Sequence, residues 1–359
     1  MSDGLDDVVA AETILSDVDG AAGRLIIRGH LLDDLAGRTS FAEAAELLLD
    51  GFFDDLPRGA AFAAALGRSR LEVFNEVAGL DAGLVRLSPV EAMRALTARL
   101  ADGDDVATAL RLMAAPAVFT PAVIRMQRHL APVAPDPALP HAADILRMMR
   151  GEAVDPSQAA ALDTYLVTVC DHGLNASTFA ARVVASTRAG LTSAVLAGVS
   201  ALKGPLHGGA PGPVIEMLDE IGEAANARAW LEAALQSGDR LMGFGHRIYR
   251  VRDPRADALK RAIRRLDPNS GRLAYAEAVE TAALAILRER KPARSLQTNV
   301  EFYTALLLEA LAFPPESFTC VFAMGRVIGW IAHAQEQLAG GRLIRPKSSY
   351  IGPEPKQAA

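Results

Sequence analysis

The sequence predicts an all-α protein of many helices with minor β elements, and three observations carry that prediction. Half of the 359 residues are hydrophobic, alanine supplies much of that share, and aromatics make up only 5%. Alanine is the strongest helix former, so this composition leans helical. Helix-start signals recur along the chain, whereas β-type patterns are short and few.

Taken in order, the first element is a short strand candidate, Arg24-Leu-Ile-Ile-Arg28. Ser40 with Glu43 then reads as a capping box, in which the Ser oxygen and the Glu carboxylate each take a free amide. Ser88, Pro89 and Glu91 combine a cap, an N1 proline and an N3 acid, and Met93, Leu96 and Leu100 follow at helical spacing. The segment 131–140 is too proline-rich for a helix and reads as a surface connection. Asp155-Pro156 starts a helix over 157–170, and Asp253-Pro254 starts another over 255–265. Prolines near 211–213 open a helix through 214–221. Alanine-leucine helices are expected at about 275–289, 300–311 and 316–338. Arg342-Leu-Ile-Arg345 is a second strand candidate. No internal repeat or low-complexity tract interrupts this order.

The formal net charge is −6, without a long block of either sign. An acidic surface argues against nucleic acid as the main partner, because phosphate binding needs a basic face. Cys170 and Cys320 sit in apolar stretches without metal-type spacing and read as buried free thiols. The first seven residues carry neither a basic nor an apolar targeting pattern. No uncharged apolar stretch reaches the roughly 20 residues a membrane helix needs, and Arg326 interrupts 318–332. The expected setting is the cytoplasm, with no membrane contact.

Three of the seven histidines stand out by their surroundings. His207 is followed by Gly208, Gly209, Ala210 and Pro211. Glycines permit close backbone approach to a ligand. A histidine near a helix N-terminus is biased toward the neutral form, which can donate to a developing oxyanion. His246 is framed by Gly243 and Gly245 and followed by Arg247, Arg250, Arg252 and Arg255, a cluster suited to a small polyanion. Lys260, Arg261, Arg264 and Arg265 fall on the expected helix and read as a solvated face. His172 lies in Asp171-His-Gly-Leu-Asn-Ala-Ser-Thr178, after an apolar helix. No metal motif, P-loop or dinucleotide fingerprint is present.

Together these segments resemble citrate synthases in order and spacing. The resemblance runs from Gly4-Leu-Asp-Asp-Val-Val and Gly23-Arg-Leu-Ile-Ile-Arg-Gly29 through 171–178, Leu-Lys-Gly-Pro-Leu-His-Gly-Gly-Ala-Pro (202–211) and Gly-Phe-Gly-His-Arg-Ile-Tyr-Arg (243–250). It continues to Asn299-Val-Glu-Phe-Tyr303, 322–333 and Arg345-Pro-Lys-Ser-Ser-Tyr350. It implies a large domain, 1–213 with 316–359, and a small mobile CoA-binding domain, 214–315, that closes over the substrates. It implies a homodimer that condenses acetyl-CoA with oxaloacetate, giving citrate and free CoA, with no tightly bound cofactor and no metal. By the same resemblance, His207 donates to the thioester oxygen, His246 polarises the ketone and Glu301 removes the methyl proton. His172, Arg255 and Arg326 hold the dicarboxylate, and Arg345 reaches the partner subunit's site. Gly243, Gly245 and Arg250 lie in the CoA contact region.

One departure is specific to this chain: the family base is normally aspartate, and here Glu301 stands in its place. Asn299 is a good N-cap, which puts Glu301 in a first helical turn, where the dipole is expected to favour the ionised carboxylate. The longer side chain is expected to slow turnover. Two alternatives remain at this point: a propionyl-CoA enzyme making 2-methylcitrate, or a low-activity paralogue; and, in a different class, a non-catalytic dimer that senses CoA and dicarboxylate. One methylene in a pocket is worth only about 1–3 kcal/mol, so local reading does not separate acetyl from propionyl.

Overall fold

The computed structural model describes residues 4–5, 8–208, 211–246 and 248–353. Gly209, Ala210, Arg247 and parts of both ends, all used above, lie outside them. Within the described residues the helices are α1 (Leu32–Leu35), α2 (Phe41–Leu49), α3 (Ala60–Phe74), α4 (Ala82–Val85), α5 (Pro89–Thr97) and α6 (Val106–Gln127). Then come α7 (His141–Arg150), α8 (Pro156–Thr168), α9 (Ala176–Ala185), α10 (Leu191–Leu202) and α11 (Pro211–Ile221). The last are α12 (Ala227–Gln236), α13 (Pro254–Leu266), α14 (Gly271–Arg290), α15 (Val300–Ala310) and α16 (Phe318–Gly340).

Four of the five caps named from the sequence form. Ser40 and Glu43 form the full capping box of α2. Asp155, Asp253 and Asn299 accept first-turn amides of α8, α13 and α15. Ser88 is the exception: its hydroxyl donates to the Glu91 carboxylate at 2.7 Å instead of accepting a backbone amide. The strand candidate at 24–28 is real, as β2 (Arg24–Ile27), the middle of a three-stranded antiparallel sheet with β1 (Ser16–Asp19) and β3 (His30–Leu31). The candidate at 342–345 is not a strand; that segment is irregular and exposed, with no neighbouring strand to take its hydrogen bonds.

Two helices form the centre. In α6 every residue from Leu112 to Ile124 is buried, Pro116 and Pro121 included. Each proline removes one ladder hydrogen bond, a local cost offset by burying an apolar surface on all sides. Sequence patterning alone does not place α6, because those prolines break the pattern. Its partner α16 carries Trp330 and a long run of fully buried residues, and Gly198 of α10 admits the Trp330 ring where a Cβ would collide with it. α6 and the 315–340 segment are apolar and long enough to cross a membrane, yet 89% of each tested window is buried inside the protein. They are core helices. Helices α3, α5, α7, α8, α9 and α10 surround this pair, while α11 packs on α15, α12 on α14, and α13 on both α15 and α8.

Candidate active site

Three connections converge where α8, α13 and α15 meet, and backbone pairing builds the place. The loop 243–245 is stitched to 297–299: Gly245 N donates to Gln297 O at 2.7 Å and Asn299 N to Gly243 O at 2.9 Å. The Asn299 side-chain amide donates to Gly245 O at 2.8 Å. Gly243 has φ +83°, and a Cβ there would lie 2.8 Å from the Phe302 ring, so this contact requires glycine. The stitch sets His246 beside the first turn of α15, which carries Glu301. On the other side, Arg250 N donates to Gly20 O at 2.8 Å, and a side chain at Gly20 would strike the Ile248 carbonyl. The β1–β2 turn thus props the loop that carries His246 and Tyr249.

The three histidines singled out in the sequence are brought together. His172 and His246 have ring centroids 5.7 Å apart, and Tyr249 lies against both. Its hydroxyl is 3.1 Å from His172 Nε2. Burial, reinforced by the guanidinium of Arg255, pushes His246 down to about 4. Burial, with Arg326 and Arg255, does the same for His207, also to about 4. His172 is held well below the usual imidazole range by burial and the same two arginines. All three rings are therefore neutral near pH 7.

Hydrogen bonds constrain their tautomers. His246 Nδ1 accepts the amides of Ile248 and Tyr249 at 3.0 and 3.1 Å, so the neutral ring carries its proton on Nε2. Arg255 Nη2 lies 3.2 Å from that nitrogen; a guanidinium can only donate, so in this tautomer the two groups do not bond to each other and each keeps a donor for a ligand oxygen. His207 Nε2 is 2.8 Å from Ser177 Oγ. The same oxygen lies 3.2 Å from the Trp330 indole nitrogen, which can only donate to it, and 2.8 Å from Asn175 Oδ1. Asn175 Oδ1 caps α9 by accepting the amides of Ser177 and Thr178, which fixes it as an acceptor. The single Ser177 hydroxyl proton therefore goes to Asn175 or to His207. When it goes to His207, Nε2 accepts and Nδ1–H becomes the ring's donor.

Arg255 and Arg326 are both buried here. Asp253, itself buried, holds Arg255 bidentately at 3.0 and 2.8 Å, caps α13 and accepts the Val300 amide at 3.1 Å. Arg326 donates to Val169 O at 2.6 Å, stacks over Phe322 and has no ion pair among the described residues. Burial lowers it to about 10, the buried Asp171 opposing that fall. Beside His172, Asp171 accepts from Ser16 and lies 3.2 Å from His333 Nε2, whose other ring nitrogen meets Arg182 at 3.0 Å.

Glu301 departs from expectation. Burial raises its carboxyl to about 7, although Arg255 and Arg240 pull the other way. Desolvation by burial outweighs a first-turn dipole, which is worth at most about 2 kcal/mol. Near pH 7 the group is about half ionised instead of fully charged.

Gly243 and Gly245 both lie on the stitched loop. Arg250 has an exposed side chain, with its carbonyl accepting from Ser295. Arg345 is not in the cluster: it lies on the exposed segment after α16 and makes no hydrogen bond or ion pair among the described residues. Lys260, Arg261 and Arg264 pair with Glu277 and Glu280, Asp33, and Glu277 respectively. Cys170 and Cys320 are buried free thiols, each pushed up to about 12 by burial. Among the described residues no His, Cys, Asp or Glu side chains group as metal ligands. Sequence reading missed Ser177, Trp330, Tyr249 and the second role of Asp253. The only signal for Asp253 was its cap position.

The fold has known counterparts. The family described as citrate synthase, C-terminal domain, matches residues 4–347. The chain is 37% identical over 362 residues to a 2-methylcitrate synthase of Mycobacterium tuberculosis, covering 98% of this chain and 90% of that one. It is likewise 37% identical over 372 residues to a citrate synthase of Haloferax volcanii, covering 97% and 95%. A citrate synthase structure from Thermotoga maritima superposes with TM-score 0.86 at 31% identity, covering 100% of this chain and 98% of that one. A second, from Thermoplasma acidophilum, solved as a ternary complex with carboxymethyl coenzyme A and oxaloacetate, gives 0.86 at 28% identity, covering 100% and 98%. The chain belongs to the citrate synthase family, a family of transferases.

Proposed function

We infer that this enzyme condenses acetyl-CoA and oxaloacetate, with water, to citrate and free CoA. The observation that carries the reading is the convergence of neutral His172, His207 and His246 with buried Arg255 and Arg326 beside the Glu301 turn. Buried guanidiniums suit a dicarboxylate, because the planar fork pairs bidentately with a carboxylate. His246 Nε2–H and Arg255 Nη2 together offer donors to a ketone and its neighbouring carboxylate. His207 donates from Nδ1 to the thioester oxygen when Ser177 turns its proton to Nε2. Glu301, in its ionised form, takes the methyl proton, and the resulting enol carbon attacks the ketone carbon. Water then cleaves the thioester, releasing CoA.

The same reading makes 214–315 a small domain that closes on the rest, with CoA along Gly243, Gly245 and Arg250. It makes the working unit a cytoplasmic homodimer with Arg345 supplied across the interface. Support comes from the resemblance of these segments and from neighbours of known structure. Thiol release from acetyl-CoA and from propionyl-CoA, each against a panel of 2-oxo acids, tests it. Release fastest with acetyl-CoA and oxaloacetate is the expected result. Faster release with propionyl-CoA reassigns the acyl group to the 2-methylcitrate reaction. Binding of oxaloacetate and CoA without thiol release over hours overturns catalysis.

A further inference from the structure

The far end of the helix that begins at Arg255 carries an unassigned feature. A surface cavity of about 500 Å³ opens between the segment after α1 and the last turns of α13, lined by Asp33, Ala36, Arg38, Arg261, Arg264 and Arg265. It is an open surface depression whose charged lining side chains are all exposed. Four guanidiniums face one carboxylate. Asp33 pairs with Arg261, and Glu277, outside the cavity, pairs with Arg264. The side chains of Arg38 and Arg265 have no hydrogen bond or ion pair among the described residues. The exposed Arg265 guanidinium passes over Gly37, its Nη2 2.6 Å from where a Cβ at that residue would lie. The C-terminal dipole of α13 favours cations on its own last turn. It does not account for Arg38, which comes from a different segment and faces the same cavity.

We propose that this cavity is a binding site for a phosphate-rich anion, a free or nucleoside-borne polyphosphate. Arg38 and Arg265 supply the free bidentate donors, which match phosphate oxygens in geometry as well as charge. The site joins two segments. Residues 33–38 lie in the span assigned above to the large domain, and α13 lies in the span assigned to the small one. α13 is a rigid rod of about 20 Å, with Arg255 at its start. An anion bridging Arg38 to Arg265 therefore favours the arrangement in which Arg255 stands near His172 and Arg326 of the other span. It should raise the affinity for oxaloacetate. This coupling rests on the functional reading above; the binding claim does not.

The test is calorimetric titration of the full-length protein with inorganic tripolyphosphate, with a nucleoside triphosphate as a second arm. Saturable binding at one site per chain is expected. Arg38→Ala and Arg265→Ala should each weaken it about tenfold or more, as loss of a charge-assisted bidentate contact would. Arg250→Ala should leave it unchanged. Tripolyphosphate binding alone as tightly as the nucleotide marks the phosphates as the recognised group; tighter nucleotide binding that Arg265→Ala still abolishes marks a nucleotide. Absence of saturable binding, affinity indifferent to Arg38 and Arg265, or affinity lost in Arg250→Ala overturns the site. In thiol-release assays the probe should lower the KM for oxaloacetate about fivefold in the parent but not in Arg265→Ala. An unchanged or raised KM overturns the coupling, and an enzyme inactive without the probe and with it indicts the functional reading while binding still judges the site.

Discussion

Replacing Glu301 with glutamine should make the protein inactive and, above neutral pH, more stable. Burial raises the Glu301 carboxyl from 4.5 to about 7, so the folded protein prefers the protonated form. A group whose folded pKa lies above its unfolded value contributes stability that is complete below the unfolded pKa. That contribution is lost as pH rises through the folded one, here between about pH 4.5 and 7. At 1.36 kcal/mol per unit the loss amounts to about 3 kcal/mol, an order-of-magnitude figure. Glutamine carries no charge to bury and escapes the loss. Its Tm should exceed the parent's by several degrees at about pH 8.5, and the two should converge near about pH 4.5, at equal protein concentration. Catalysis runs the other way. A base must be ionised, so kcat/KM for the acyl-CoA should rise about tenfold per unit below pH 7 and level off above it. At pH 5 it should be about one hundredth of the plateau. The glutamine variant should lose at least about 100-fold while binding oxaloacetate normally. Scanning calorimetry and initial rates across pH 5–9 check both halves. A pH-independent Tm difference, or a rate flat through pH 7, would refute the burial argument. A glutamine variant as active as the parent would remove Glu301 from the chemistry.

Other outcomes follow from neighbouring contacts. Glu301→Asp should raise the turnover number, since the family carries the shorter acid at this place; a much slower variant would show a site rebuilt around glutamate. Ser177→Ala should lower kcat about 10-fold or more with little change in the KM for oxaloacetate, and cost about 1–3 kcal/mol of stability by orphaning the Trp330 indole N–H. Steady-state kinetics with a thermal melt check this, and an undiminished kcat would end the role given to Ser177. Asp253→Asn keeps the α13 cap but removes the charge that holds Arg255; the KM for oxaloacetate should rise about tenfold or more, and an unchanged KM would mean Arg255 needs no such support. Mixing Arg345→Ala subunits with His207→Ala subunits should restore some thiol release. Confirmed subunit exchange without recovered activity would rule out a composite site.

The sequence by itself determined the helical class, several helix starts and the identity of the chemical groups. Caps at Ser40, Asp155, Asp253 and Asn299 are local, formed within one turn, and therefore legible along the chain. The ordered segments around His172, His207, His246 and Glu301 were enough to place the chain in its family. Three-dimensional contacts decided the rest. Among the described residues the strand expected at 342–345 has no partner to pair with, and α6 runs through two prolines where every residue from Leu112 to Ile124 is buried. Both outcomes depend on neighbours distant in sequence. The same holds inside the site. Loop 243–245 meets 297–299 by backbone pairing, which no side-chain pattern reports. Ser177 gains its role from His207 and Trp330, 30 and 153 positions away. The protonation of Glu301 is the clearest case: the local rule, a carboxylate in a first helical turn, favours charge, but only the tertiary structure removes the water around it, and desolvation is the larger effect.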